Sequence, residues 1–295
     1  MRLDGPVVLA SGILGISLDV FRRLHRSGAG AVVTKSLSKS PWTGYANPTV
    51  IGLDNGGWLN AVGLSNPGAQ NFADMIRPNR EIPIIVSLVG STAAEFEYMI
   101  DKFDECAVVA YELNMSCPHV AKVGLEVGDD PALVREIVGA AKQASGDSAP
   151  VLVKVGLGSS NYLDTVGAAI DGGADAITAI NTIRSMAIDA ELQRPVLSNR
   201  FGGLSGAPIK PIALRCVYEI ASRFGDIPIM GCGGISNWKD AVEFILAGAS
   251  AVQIGSVLGE EDVDIFGRIN TGITEYMERK GIDRLQDMVG HAQRR

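Results

Sequence analysis

The sequence predicts an α/β fold, a single (β/α)8 TIM-type barrel spanning residues 1–295, with long loops after strands 2, 4 and 6. Three observations carry this. Eight short apolar, β-rich runs occur in order, and several are apolar throughout, as expected of parallel strands covered on both faces. Amphipathic segments of helical spacing separate them. The chain has 35 glycines but only 6% aromatics, which suits many tight strand-to-helix turns. An open doubly wound sheet is the structural alternative, because periodicity does not encode closure.

The elements follow in order. A strand at 7–10 precedes a helix at 18–26, and a strand at 31–34 precedes a long connection, 36–69. A short segment at 70–76 leads to a strand at 84–88 and a helix at 93–103. The fourth strand, 108–113, is followed by a second long connection, 115–130. Asp130-Pro131 then marks a helix start over 131–144, a capping side chain followed by proline in the first turn. A strand at 151–155, a helix at 162–171 and a strand at 176–180 precede the third long connection, 181–207. A helix at 209–224, a strand at 227–230, a helix at 238–247, a strand at 251–254 and a helix at 265–280 complete the series. All three long connections follow strands, so in a barrel they share the C-terminal mouth, where active sites are built.

Composition narrows the function. A formal net charge of −7 argues against a broad nucleic-acid or anionic-membrane surface. Neither the opening segment nor any later apolar run has the length of a spanning helix, so a cytosolic protein is expected. Cys106, Cys117, Cys216 and Cys232 show no CxxC pairing and read as thiols. Cys106, Cys216 and Cys232 are taken as packing or backbone-neighbour residues. His25, His119 and His291 lack metal-ligand spacing, so no metal is expected.

Polar residues gather at strand ends: Lys35 after the second, Asn114 and Cys117 after the fourth, Asn181-Thr182 after the sixth, with Lys154 inside the apolar fifth. Cys117, in Asn114-Met115-Ser116-Cys117-Pro118-His119, is a candidate thiolate base or nucleophile. Gly233-Gly234 and Gly255-Ser256 follow strands seven and eight, the usual barrel phosphate site, and point to a phosphorylated ligand such as FMN. A lysine beside a flavin ring stabilises its reduced form, a role that suits Lys154. Barrel lysines also form Schiff bases, so a lyase using Lys154 or Lys35 stays open at this point.

These residues, with Leu59-Asn60-Ala61-Val62-Gly63-Leu64-Ser65-Asn66-Pro67-Gly68, Ile180-Asn181-Thr182 and Gly202-Gly203-Leu204-Ser205-Gly206, resemble the soluble class 1 dihydroorotate dehydrogenases, and class 1B catalytic subunits more than class 1A. Membrane-associated class 2 enzymes carry serine at the base position. The resemblance covers nearly the whole chain. It implies FMN-dependent oxidation of dihydroorotate to orotate in pyrimidine synthesis, with Cys117 removing the C5 proton. It assigns Lys35, Asn60, Ala61, Val62, Gly63, Leu64, Asn114, Asn181 and Thr182 to substrate. Ser11, Lys35, Ser36, Asn114, Lys154, Ile180, Gly206, Gly233, Gly234, Gly255 and Ser256 fall to FMN. It further implies a homodimer and a partner subunit carrying FAD and an iron–sulfur cluster, with NAD as acceptor; fumarate or a quinone are the alternatives. A dehydrogenase of uracil-like rings is the rival within flavin chemistry. Three departures stand out: His119 and Ser87 replace expected asparagines, and no proline-asparagine follows Lys154.

Overall fold

A computed structural model describes Met1 and residues 3–116, 127–158 and 161–294. Eight parallel strands close into a barrel: β1 (Val7–Leu9), β2 (Val32–Val33), β3 (Ile84–Leu88), β4 (Val108–Asn114), β5 (Val151–Val155), β6 (Ala176–Ala179), β7 (Ile229–Cys232) and β8 (Ala251–Ile254). Closure is explicit in the register, because β1 pairs with β8 through Val7 and Val252 and with β2 through Leu9 and Val32. The open-sheet alternative is thereby excluded.

Eight helices surround the barrel: α1 (Leu18–Arg26), α2 (Ala69–Ile76), α3 (Ala93–Asp101), α4 (Pro131–Ser145), α5 (Tyr162–Asp171), α6 (Lys210–Arg223), α7 (Trp238–Ala247) and α8 (Ile265–Lys280). The Asp130 side chain accepts from the Leu133 N–H at 3.2 Å, so the expected cap forms at the expected residue. Among the described residues, no helix is long and apolar enough to cross a membrane.

Strand alternation divides the apolar residues into two cores. Outward-facing Val7, Leu9, Val86, Leu113, Val153, Ile177, Val252 and Ile254 pack under the helices in the main cluster. Val8, Ala31, Val33, Ile85, Ala110, Leu152, Ala176, Met230 and Ala251 fill the barrel interior as a separate cluster, and every strand region contributes. Small and medium side chains suffice because the interior of an eight-stranded barrel is narrow.

Two long connections differ from the irregular loops expected. Segments Val50–Gly52, Gly57–Asn60, Gly202–Gly206 and Ile183–Ser185 form a four-stranded antiparallel sheet in that order. Its central pairing sets Asn60 opposite Gly203 and Leu59 opposite Leu204. Leu59, Ala61 and Leu197 give it a small core of its own. The loops after β2 and β6 are therefore knitted into one layer. Strand β7 also differs: it starts after Pro228 and runs on to Cys232, two residues beyond the expected end. The proline still contributes its carbonyl, which accepts from the Ile177 N–H.

Candidate functional site

Two residues above the apolar interior, the same inward-facing positions turn polar. Ile85 is succeeded by Ser87, Ala110 by Glu112, Leu152 by Lys154, Ala176 by Thr178, Met230 by Cys232 and Ala251 by Gln253. Lys154 is only 5% exposed and Glu112 is fully buried. The Lys154 ammonium donates to Gln253 Oε1 at 3.1 Å and lies 3.8 Å from Cys232 Sγ. Glu112 Oε2 accepts from Thr178 Oγ1 at 2.9 Å and Gln253 Nε2 at 2.6 Å, and Glu112 Oε1 lies 4.0 Å from Lys154 Nζ. Burial pulls the Lys154 pKa down, but Cys232 and Glu112 more than offset it, so it stands above the ordinary lysine value. Burial also pushes the Cys232 thiol up, which leaves it as S–H at neutral pH. Glu112 is the carboxylate paired with Lys154 among the described residues. Cys232, expected to be a packing residue, is corrected to a member of this cluster, because β7 carries it into the barrel instead of ending before it.

A second, neutral line crosses the mouth from β1 to β6. Ser11 Oγ donates to the Thr34 carbonyl at 2.7 Å and lies 3.4 Å from Ser36 Oγ. Ser36 Oγ is 3.0 Å from Ser87 Oγ and accepts from Asn114 Nδ2 at 3.2 Å. Asn114 Oδ1 accepts from Asn181 Nδ2 at 3.2 Å and from the Ser116 N–H at 3.1 Å. Asn181 Oδ1 in turn accepts from the Thr182 N–H. On the overlying sheet, Asn60 Nδ2 donates to the Gly203 carbonyl at 3.1 Å. Each of these three carboxamides keeps one N–H uncommitted among the described residues, so each offers a donor to a ligand carbonyl or carboxylate. Lys35 stands beside this line, and burial lowers its pKa with no charged group among the described residues opposing the shift.

The neighbouring loop separates binding groups from scaffolding. Asn66 uses both ends of its amide on Ser38, Leu64 and Gly68, which anchors the loop. That anchor holds Ala61, Val62, Gly63 and Leu64 beside the mouth sheet, where the Val62 carbonyl accepts from the Tyr45 N–H.

Strands β7 and β8 are neighbours, with Cys232 opposite Gln253, so the Gly233-Gly234 and Gly255-Ser256 turns leave the barrel side by side. Gly234 has φ of 72°, and a Cβ there would lie 2.7 Å from the Gly206 carbonyl oxygen and 2.9 Å from the Lys210 nitrogen. Gly206 thus abuts this turn at the entry to α6. Lys210 itself is turned away, bonded to Asp240 at 2.6 Å and Glu243 at 2.9 Å. The donors this turn can offer an anion are backbone N–H groups, and glycine is needed at 234 because Gly206 and Lys210 pack against it. Ile180 is buried beneath, its N–H donating to the Cys232 carbonyl. A buried lysine, a hydroxyl–carboxamide line and a glycine cradle fit a polar ring bearing a phosphate, the donor set that FMN requires.

The structure thus brings Ser11, Ser36, Asn114, Asn181 and Thr182 into one hydrogen-bonded line, and Lys154 into the adjoining cluster. Ser87, which stands where an asparagine was expected, lies within the line, its hydroxyl 3.0 Å from that of Ser36. Cys117 and His119 lie outside the described residues. Glu112 and Gln253 were not singled out in the sequence, although a charge and an amide within otherwise apolar strands were the available signals. No group of three or more His, Cys, Asp or Glu suited to a metal occurs among the described residues.

Comparison with known proteins follows the same lines. A family model described as dihydroorotate dehydrogenase matches residues 1–277. The chain is 45% identical over 294 residues to the dihydroorotate dehydrogenase B (NAD(+)), catalytic subunit, of Pyrococcus horikoshii, covering 99% of this chain and 95% of that one. It is 44% identical over 295 residues to the Pyrococcus furiosus protein of the same description, covering 100% and 97%. The Methanothermobacter thermautotrophicus protein, again of that description, is 41% identical, with 99% and 96% covered.

Proposed function

The chain belongs to the dihydroorotate dehydrogenase family, and on that premise we propose that it oxidises (S)-dihydroorotate to orotate with bound FMN and with Cys117 as base. The observation that carries the reading is the Ser36–Asn114–Asn181 line with its uncommitted amide donors, set beside a buried lysine and the glycine cradle. Asn60, Asn114 and Asn181 orient the carbonyls and ring amides of a flat, anionic substrate, while Lys35 meets its carboxylate. Thr182 and the backbone of Ala61, Val62, Gly63 and Leu64 line the substrate. Ser11, Ser36 and Ile180 meet the flavin ring with Lys154. Gly206, Gly233, Gly234, Gly255 and Ser256 hold the phosphate. When bound, FMN supplies the acceptor for the hydride leaving C6. Cys117 takes the proton from C5, and the antiparallel sheet over the mouth excludes water while it does so.

The relatives' description as catalytic subunits of NAD(+) enzymes supports NAD as terminal acceptor, reached through a partner subunit that carries FAD and an iron–sulfur cluster. A homodimer of this chain and a cytoplasmic location belong to the same reading. The family membership disfavours the Schiff-base reading of Lys154.

The test is anaerobic addition of dihydroorotate to the purified, FMN-loaded chain. Bleaching of the flavin band is expected, with dihydrouracil giving none. Bleaching by dihydrouracil alone would move the reading to the uracil-type reaction. Cys117→Ala is expected to retain FMN yet slow the bleaching by roughly 10²–10⁴-fold, the usual contribution of a positioned base. A near-normal rate would place the base elsewhere.

A further inference from the structure

Glu112 has no part in the chemistry above, yet its carboxylate is fully buried in the barrel. Burying an ion pair is a poor route to stability, because well-packed apolar side chains of similar volume commonly do as well or better. The same strands demonstrate that alternative two residues lower, where the interior is entirely apolar. The pair therefore calls for a reason other than packing.

Its geometry supplies one. Gln253 stands between the two charges, with Nε2 on Glu112 Oε2 at 2.6 Å and Oε1 on Lys154 at 3.1 Å. The charges dictate this orientation, since a flipped amide would set N–H against ammonium and carbonyl against carboxylate. Glu112 Oε1 has no hydrogen-bond partner among the described residues and faces Lys154 Nζ at 4.0 Å. Thr178 Oγ1 anchors the other carboxylate oxygen, and Gln253 Nε2 also donates to Met230 Sδ at 3.1 Å, so both amide N–H groups are engaged. Of the three N–H groups on Lys154, one is on Gln253 and one is directed at the Cys232 sulfur. The third has no acceptor among the described residues and is left for a ligand.

We propose that Glu112, acting through Gln253, is the positioning residue that keeps Lys154 charged and oriented toward the cofactor site, and so sets how strongly this chain favours reduced over oxidised flavin. The inference rests on the flavin reading of the site given above. Among the described residues Glu112 is the carboxylate that faces Lys154, with Oε1 4.0 Å from Nζ.

The experiment compares the full-length wild-type chain with Glu112→Gln, Lys154→Met and the double variant. Each apoprotein is titrated with oxidised and with reduced FMN, and the bound flavin's midpoint potential is measured. Gln retains an acceptor for Thr178 and Gln253, so only the charge is removed. The expected result for Glu112→Gln is a loss of about tenfold in the preference for reduced flavin, a potential lower by about 30 mV for a two-electron couple. Lys154→Met should shift in the same direction, and the double variant should fall no further than Lys154→Met, as expected when one residue acts through the other. An unchanged or raised potential in Glu112→Gln overturns the inference, because Lys154 would then be charged without Glu112. If Glu112→Gln does not fold, the charge-free double variant decides: a potential clearly below that of Lys154→Met would mean that Glu112 acts on the flavin independently of the lysine. A wild-type chain that takes up neither form of FMN overturns the flavin reading and this inference together, whereas wild-type binding with an unmoved Glu112→Gln overturns this inference alone.

Discussion

The lower and upper halves of the barrel interior are built by the same eight strands and differ by one step of the pleat. Below, Ile85, Ala110, Leu152, Ala176, Met230 and Ala251 close an apolar plug. Above, Ser87, Glu112, Lys154, Thr178, Cys232 and Gln253 make a hydrogen-bonded polar layer. The difference teaches that this fold separates its duties by height. The plug holds the strands in register, and the layer above it, freed from that duty, carries charge that contributes little to stability by itself.

Exchanging residues between the two layers breaks the comparison most severely. Leu152→Lys puts an unpaired ammonium into the plug, where desolvation costs several kcal/mol against a typical total stability of about 5–15 kcal/mol. That variant is expected to show no cooperative thermal transition. Lys154→Met, two residues higher, strands the Glu112 carboxylate and is expected to cost about 3–5 kcal/mol. Glu112→Gln combined with Lys154→Met removes both charges and should recover most of that loss. Denaturant unfolding of the three variants checks the order. If Leu152→Lys folds as well as Lys154→Met, the layers are not distinct.

The plug was more legible in the sequence than the layer above it. Continuous apolar runs located all eight strands, and Asp130-Pro131 located a helix start, because burial and capping are local signals. The antiparallel sheet over the mouth escaped notice, since its strands are short, Gly202–Gly206 is glycine-rich, and Gly57–Asn60 is held by a pairing partner about 140 residues away in the chain. Cys232 was misassigned because Gly231-Cys232-Gly233-Gly234 reads as one turn, whereas the register carries the strand through Cys232. Glu112 and Gln253 hid inside apolar runs, although counting in twos from Ala110 and Ala251 leads to both. Of the candidate site, Lys35, Asn114, Asn181 and Thr182 were legible as polar residues at strand ends and Lys154 as a charge inside an apolar strand, whereas Ser11 and Ser36 entered only through the family resemblance. The partner of that lysine was not, because it lies on another strand.

Smaller effects are expected at the rim of the polar layer, where backbone rather than side chain meets the ligand. Gly234→Ala forces an L-residue into a left-handed conformation, at a cost of roughly 1–2 kcal/mol, and pushes a methyl group toward the Gly206 carbonyl. If this turn cradles a phosphate, FMN binding should weaken about tenfold or more, as expected for a loss of ~1.4 kcal/mol, while riboflavin, which lacks the phosphate, should lose far less. Fluorescence titration of the apoprotein with both flavins separates the outcomes. Equal losses would mean that the turn supports the ring and that the anion is held elsewhere.

The subtlest difference between the layers is electrostatic, and two lysines display it. Lys154 faces Cys232 and Glu112, which hold its pKa up, whereas Lys35 has no such partner among the described residues and burial lowers its pKa. The proton linkage of Lys35 follows from that direction. In the ligand-free fold, Lys35 releases its proton below the ordinary lysine value of 10.5, so stability rises with pH between the folded and unfolded pKa. An anionic carboxylate set beside Lys35 restores the charge and raises the pKa again. Binding therefore takes up a proton in the window between the free and bound pKa, and affinity for orotate falls as pH climbs through it, by no more than about tenfold per pH unit. Calorimetry in buffers of different ionisation heat measures the uptake directly, and Lys35→Met should abolish it. Proton release, or a pH dependence unchanged in Lys35→Met, would place the carboxylate away from Lys35 and leave the amide line to hold the substrate without a cation.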